Sequence, residues 1–219
     1  MGISMIQLKD REEWLQHRRK YIGGSDCSCI VGCNNYKTNV ELWEEKTGRT
    51  DPEDISEKDF VKYGTEAEQY LRKLFALDFP KYEVSYVENN SVLNDSYPFG
   101  AASLDGFLIE KETGRKGILE IKTTNILRSI QKEQWNHRIP SNYYCQVLFY
   151  LAMTGFEFVE LKAQMKYDYD GEIFLNTKHY HIERSEVEED IVFLMNKCAD
   201  FYEYIKKDIR PSLVLPQID

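Results

Sequence analysis

Asp105 is followed, after a turn, by Glu120, Ile121 and Lys122. Successive side chains on a strand point to opposite faces, so Glu120 and Lys122 share one face while Leu119 and Ile121 share the other and can enter a core. Asp105 and Glu120 offer the hard oxygen ligands that a Mg ion needs. The adjacent lysine can orient a water or neutralise charge on a phosphate in transfer. This is the chemistry of a metal-dependent nuclease. Taken alone, an acid and a lysine around one apolar residue more commonly form a solvated strand face with a cross-strand ion pair, and the remaining sequence must decide.

The chain has 219 residues, enough for a single domain with a sizeable core. No Pro/Gly/Ser-rich linker divides it. A single nuclease domain over 1–219 is expected, with a helical part over about 1–78, a catalytic α/β core over about 79–185 and a closing helix over about 186–209. No apolar run is long enough to span a membrane, and Met1 to Glu13 lacks the apolar core of a signal peptide. A soluble, cytoplasmic protein with no membrane partner is the expectation. The cysteines Cys27, Cys29, Cys33, Cys145 and Cys198 are odd in number and fit no standard zinc or iron–sulfur spacing, so they read as reduced structural thiols.

The formal net charge is −9, against the basic footprint expected of a DNA binder. The acids are uneven, however. Asp51 to Asp59 and Glu183 to Asp190 are strongly acidic, whereas Lys111 to Arg138 carries seven Lys/Arg against three Glu. That stretch leaves a local basic groove on an acidic body open.

The elements that must position these groups can be read in turn. A helix over Asp10 to Lys20 is capped by Asp10. Ser25 or Asp26 caps a short helix reaching Val31, and Thr38 or Asn39 opens another that ends at Gly48. A long helix over Ile55 to Leu77 carries Phe60, Tyr63, Ala67, Tyr70, Leu71, Leu74 and Phe75 at helical spacing. Strands are predicted over Tyr82 to Glu88, Gly100 to Ile109 and Gly117 to Thr123. Pro140 opens a helix that Gly155 ends. Phe158 to Tyr167 and Glu172 to Ile182 form a hairpin about Asp168 to Gly171. An amphipathic helix over Glu186 to Lys207 closes the chain. Helices, mostly antiparallel strands and further helices in this order give an α/β fold. His17, His137, His179 and His181 have no motif support; His179 and His181 read as a strand-surface pair.

The order of motifs resembles the lambda-type phage exonucleases and YqaJ-like viral recombinases, within the restriction-endonuclease-like nuclease superfamily, over about Trp14 to Tyr167. The resemblance implies a restriction-endonuclease-like core with a central mixed β-sheet flanked by helices. It rests on Trp14 to Asp26, Asn39 to Gly48, Gly64 with Glu68, the Asp105–Lys122 motif and Gln146. By resemblance, Arg18, seven residues before Ser25, grips a DNA phosphate with that serine and with Ser103. Arg19 is the alternative to Arg18, and a surface arginine beside a simple N-cap remains open. Glu68, Asp105, Glu120 and the carbonyl of Ile121 are the implied metal ligands, for one or two Mg ions with Mn as the alternative. Lys122 and Gln146 complete the implied catalytic set. The implied activity is a 5′-to-3′ exonuclease on double-stranded DNA ends that leaves 3′ overhangs in phage-type recombination, in a bacterial host cell. A single-strand annealing protein and a homotrimer are the further partners implied. A restriction- or repair-type endonuclease on the same core, and a non-catalytic DNA-end-binding adaptor, remain alternatives.

Overall fold

The computed structural model describes residues 2–215. The chain opens with a strand, β1 (Ile3–Gln7), then α1 (Arg11–Arg19), α2 (Gly24–Ile30), α3 (Asn39–Lys46) and α4 (Asp59–Asp78). Strands β2 (Tyr82–Ser85), β3 (Asn90–Asn94), β4 (Gly106–Glu110) and β5 (Lys116–Asn125) follow. Helices α5 (Ser129–Gln134) and α6 (Ser141–Thr154), the hairpin β6 (Phe158–Tyr169) and β7 (Glu172–Glu183), and α7 (Glu188–Lys206) complete the order.

The main sheet has five strands in the order β2-β4-β5-β6-β7. It is mixed: β5 runs parallel to β6, and the other neighbours are antiparallel. Parallel pairing requires a long crossover, and α5 and α6 supply it. The expected α/β core, a central mixed sheet flanked by helices, is therefore present. A second, two-stranded sheet pairs β1 with β3.

Two apolar layers sandwich the sheet. On one face α2, α6 and α7 pack around Ile118, Phe149, Leu151, Val159, Leu161 and Leu194. On the other, Leu71 and Phe75 of α4 meet Tyr82, Leu108, Leu119, Ile121 and Phe158. Ile118 thus serves one layer while Leu119 and Ile121 serve the other, so Glu120 and Lys122 face the α6 side as the strand alternation requires. Every residue of α6 from Cys145 to Thr154 is buried, in keeping with a helix that is apolar all round. Gly155 ends it in the left-handed conformation at φ 65°, which glycine adopts without a Cβ penalty.

Several boundaries differ from the sequence-based expectation. β1 and β3 were not anticipated: β1 is mostly exposed and β3 lies among Asn and Ser, so neither has an alternating apolar signal. The strand expected from Gly100 starts at Gly106; before it, only isolated bridges form, Ile22 with Gly100 and Val92 with Ala102. The strand from Tyr82 stops at Ser85, and α5 was missed. α2 starts one residue before Ser25. Its N-cap is Gly23, and Asp26 turns back to accept the Gly23 N–H at 2.9 Å. α4 starts at Asp59 rather than Ile55. Its periodicity is real, but Phe60, Tyr70 and Leu74 are exposed, and Tyr63 reaches β6 through its hydroxyl, which donates to Gln164 at 2.6 Å.

The thiols form close contacts, Cys27 with Cys198 at 3.7 Å in the core and Cys33 with Cys145 at 3.5 Å in a partly buried position, and all five cysteines are free.

Candidate active site

The hairpin of β4 and β5 brings the first two acids together. Asp105 immediately precedes β4, and its Oδ2 accepts the main-chain N–H of Ile121 at 2.8 Å. Glu120 sits in the middle of β5 with 1% of its side chain exposed. Lys122 Nζ lies 2.6 Å from Glu120 Oε1, yet neither carboxylate oxygen accepts an aligned hydrogen bond. A buried carboxylate without donors is costly in its charged form. Burial, then the charge of Asp105, pushes the Glu120 carboxyl up to about 8.

Glu68 reaches the same region from α4. Burial and Asp105 raise it to about 7, against the opposing pull of Arg72 and Lys122. Burial also raises Asp105, although Lys122, the Ile121 N–H and Arg72 all stabilise its anion. Burial works against the charge of Lys122, but Glu120 and Asp105 outweigh it and hold the ammonium protonated. Three neighbouring acids are thus raised chiefly by burial despite Lys122 and Arg72, a cost to their charged forms that a divalent cation would offset. Among the described residues, no three His, Cys, Asp or Glu side chains are gathered tightly enough to hold a metal as they stand. Glu68 is paired with Arg72, one helical turn further along α4.

A cleft of about 930 Å³ opens beside these groups. Arg18, Ser25, Glu68, Ser103, Asp105 and Gln146 line it together, while Glu120 and Lys122 are set back on β5. Arg18 Nη2 donates to Ser25 Oγ, joining the end of α1 to the start of α2. The Arg18 guanidinium also lies 5.3 Å from the Trp14 ring centroid. The indole Nε1 of Trp14 donates to Ser103 Oγ at 2.9 Å. Arg18, not Arg19, is therefore the arginine that meets Ser25.

Gln146 lines the cleft, and its amide Nε2 donates to the Tyr150 hydroxyl at 2.7 Å, one turn along α6. The cations of Lys111 to Arg138 do not line this cleft. Lys111 is bonded to the carbonyl of Pro80, and Arg115 is paired with Glu183. The cleft takes its cations from the helices instead, as Arg11, Arg18, Arg72 and Lys73.

Sequence reasoning gave no role to Trp14, Arg72, Tyr86 or Tyr150, all of which line the cleft. For Trp14, Arg72 and Tyr150 the available signal is spacing: Trp14 with Arg18, Glu68 with Arg72 and Gln146 with Tyr150 are each one helical turn apart. Lys46 and Asp26 were also overlooked as a pair. They form an ion pair of 2.8 Å behind Gly23. Away from the cleft, His181 bridges Glu160 and Glu183 through its two ring nitrogens at 2.8 and 2.9 Å. His179 packs against Phe79 with ring centroids 4.8 Å apart.

Comparison with known proteins places this geometry in context. Residues 13–157 match the model of the YqaJ-like viral recombinase domain. The uncharacterized protein YqaJ of Bacillus subtilis (strain 168) is 37% identical over 149 residues, which is 68% of this chain and 44% of that protein. The chain therefore spans less than half the length of that relative. Among solved structures, the alkaline exonuclease LHK-Exo of Laribacter hongkongensis superposes with a TM-score of 0.57 at 20% identity, covering 90% of this chain and 97% of the other. A phage-related exonuclease of Haemophilus somnus 129PT gives 0.54 at 13% identity, covering 86% and 96%. At these identities the structures establish a shared fold.

Proposed function

This chain belongs to the family of YqaJ-like viral recombinase domains, and from that premise we propose that it is a Mg-dependent 5′-to-3′ exonuclease. Its substrate is a double-stranded DNA end, and its product carries a 3′ single-stranded overhang suited to phage-type recombination. The observation that carries the nuclease reading is Glu120: a buried carboxylate whose oxygens accept no aligned hydrogen bond, ion-paired to Lys122 and beside Asp105 and Glu68. The exonucleases that share the fold support the same reading.

Glu68, Asp105, Glu120 and the Ile121 carbonyl would hold one or two Mg ions. When bound, such ions stabilise charge on a phosphoryl group in transfer and lower the pKa of a water. The chain's own groups do the positioning. Lys122 keeps its proton at Nζ and presents a fixed positive charge to the attacking water or to a phosphate oxygen. Arg18, Ser25 and Ser103 grip a phosphate in the same cleft; a guanidinium fork matches phosphate oxygens. Gln146, bonded to Tyr150, forms part of the cleft wall.

The test uses linear duplex DNA labelled separately at each end, with Mg, and closed-circular DNA and EDTA as controls. Mg-dependent loss from 5′ ends with intact circles is the expected result. Cutting of circles would make the protein an endonuclease, and DNA binding without cleavage in Mg or Mn would make it an adaptor.

A further inference from the structure

Arg72 makes contacts that the catalytic reading above does not use. It lies one turn after Glu68 on α4, and its side chain is 13% exposed. Nη2 donates to Glu68 Oε1, and Nε donates to the main-chain carbonyl of Asp105. The guanidinium carbon stands 3.6 Å from the centroid of the Tyr86 ring. One planar group is therefore fixed on two edges and one face by three segments: α4, the residue leading into β4, and the loop after β2. A guanidinium can do this because its donors form a rigid fork and its plane stacks on aromatics; an ammonium cannot.

We propose that Arg72 is a positioning residue of the metal site, clamping the Glu68 carboxylate of α4 to the main chain of Asp105 so that helix and sheet present their acids together. This rests on the metal-dependent reading above. The rival role, a phosphate ligand, fits less well: two of its nitrogens are already committed to Glu68 and Asp105. Loss of an outer group that orients metal ligands typically costs about 10–100-fold in metal affinity or activity.

The sign of one measurement separates positioning from mere charge balance. Removing a cation beside three acids would, by electrostatics alone, tighten binding of a divalent ion. Loss of a clamp weakens it. Arg72→Met keeps the apolar stem, and Arg72→Lys keeps the charge without the fork. The readouts are Mn affinity of the DNA-free protein by titration calorimetry, kcat and KM on linear duplex DNA, and Tm to report folding. Both variants are expected to bind Mn about tenfold or more weakly, with kcat reduced, KM for DNA within about twofold and cooperative melting retained. Tighter or unchanged Mn binding overturns the proposal, as does full rescue by Arg72→Lys, or a raised KM at unchanged kcat. Should the Arg72 variants fail to fold, Tyr86→Leu removes the stacking face on a partly exposed residue. It is expected to weaken Mn binding in the same direction, and unchanged binding overturns the clamp. If the wild-type protein neither binds Mn nor cuts DNA, the metal-site reading itself falls and the clamp with it. Failure confined to the variants removes only the role of Arg72.

Discussion

The indole N–H of Trp14 reaches Ser103 Oγ at 2.9 Å, tying α1 to the segment that leads into Asp105. The same indole carries the Arg18 guanidinium against its ring. One side chain therefore sets both the serine and the arginine proposed to hold a phosphate. Trp14→Phe keeps an aromatic face and deletes the donor. A lost hydrogen bond of this kind costs about 1 kcal/mol of stability, read as a lower denaturation midpoint at unchanged m. DNA-end affinity, measured in Ca to prevent cleavage, should fall severalfold. Unchanged end affinity would separate Ser103 from phosphate binding.

Glu120 gives a pH prediction with a definite sign. Its carboxyl is raised from 4.5 to about 8 in the folded chain, chiefly by burial. Between those values the folded state binds more protons than the unfolded state, so stability falls as pH rises. Glu68, raised to about 7, contributes in the same direction. In EDTA, Tm should therefore decline from about pH 5 to pH 8. Glu120→Gln should flatten that decline, because the amide has no proton to lose. Added Mg should restore stability on the alkaline side in the wild type and less in the variant. A wild-type Tm that rises across this window would contradict the burial argument.

Asp26 acts at the opposite end of the scale. Burial would raise its carboxyl, but Lys46, Arg18 and the Gly23 N–H outweigh it and hold the group below its ordinary value of 3.8. Its stabilising contribution is present above that value and is lost as pH falls through the lower folded value. Asp26→Asn removes the carboxylate from Lys46, whose Nζ keeps the Arg18 and Tyr21 carbonyls as acceptors. Urea denaturation at pH 7 should show a loss of about 1–3 kcal/mol, the scale of a hydrogen bond to a charged group. The difference between wild type and variant should shrink as acid protonates Asp26. A pH-independent difference would assign the loss to packing.

Gly24 tests the wall between α2 and α6. An added Cβ would stand 2.6 Å from the Tyr150 ring and 2.9 Å from Gln146 Cγ. Both neighbours are buried, and overpacking of this kind costs about 1–3 kcal/mol. Gly24→Ala should lower the denaturation midpoint and also reduce cleavage, because Ser25 and Gln146 move apart. A destabilised variant with full cleavage rate would show that this wall does not set the site.

Much of the site could be read because its signals are local. Glu120 and Lys122 fall on one face of β5 by strand alternation alone, with no knowledge of what covers it. The caps of α1 and α3, at Asp10 and Thr38, follow from side chains that bond amides a few residues away. What escaped was decided by distant contacts. The periodicity of α4 is correct, but its buried contact with the sheet is made by Leu71 and Phe75 with Ala67 beside them, so Phe60, Tyr70 and Leu74 gained no cover. Arg115 counted toward a basic groove until Glu183, far along the chain, claimed it. Arg72 after Glu68 has the look of an ordinary surface pair, and nothing nearby in sequence announces Tyr86 or the Asp105 carbonyl.

The two sheets also differ in how far the chain must travel to close them. β4 and β5 meet across a short turn, so Asp105 and Glu120 come together at little cost in loop entropy. β1 meets β3 only after all of α1 to α4 and β2 have intervened. Contacts of long sequence span form late and slowly. The acids of the hairpin should therefore be in register early in folding, before the small sheet docks. In native-state hydrogen exchange, the amides of exposed β1 should open well before those of β5.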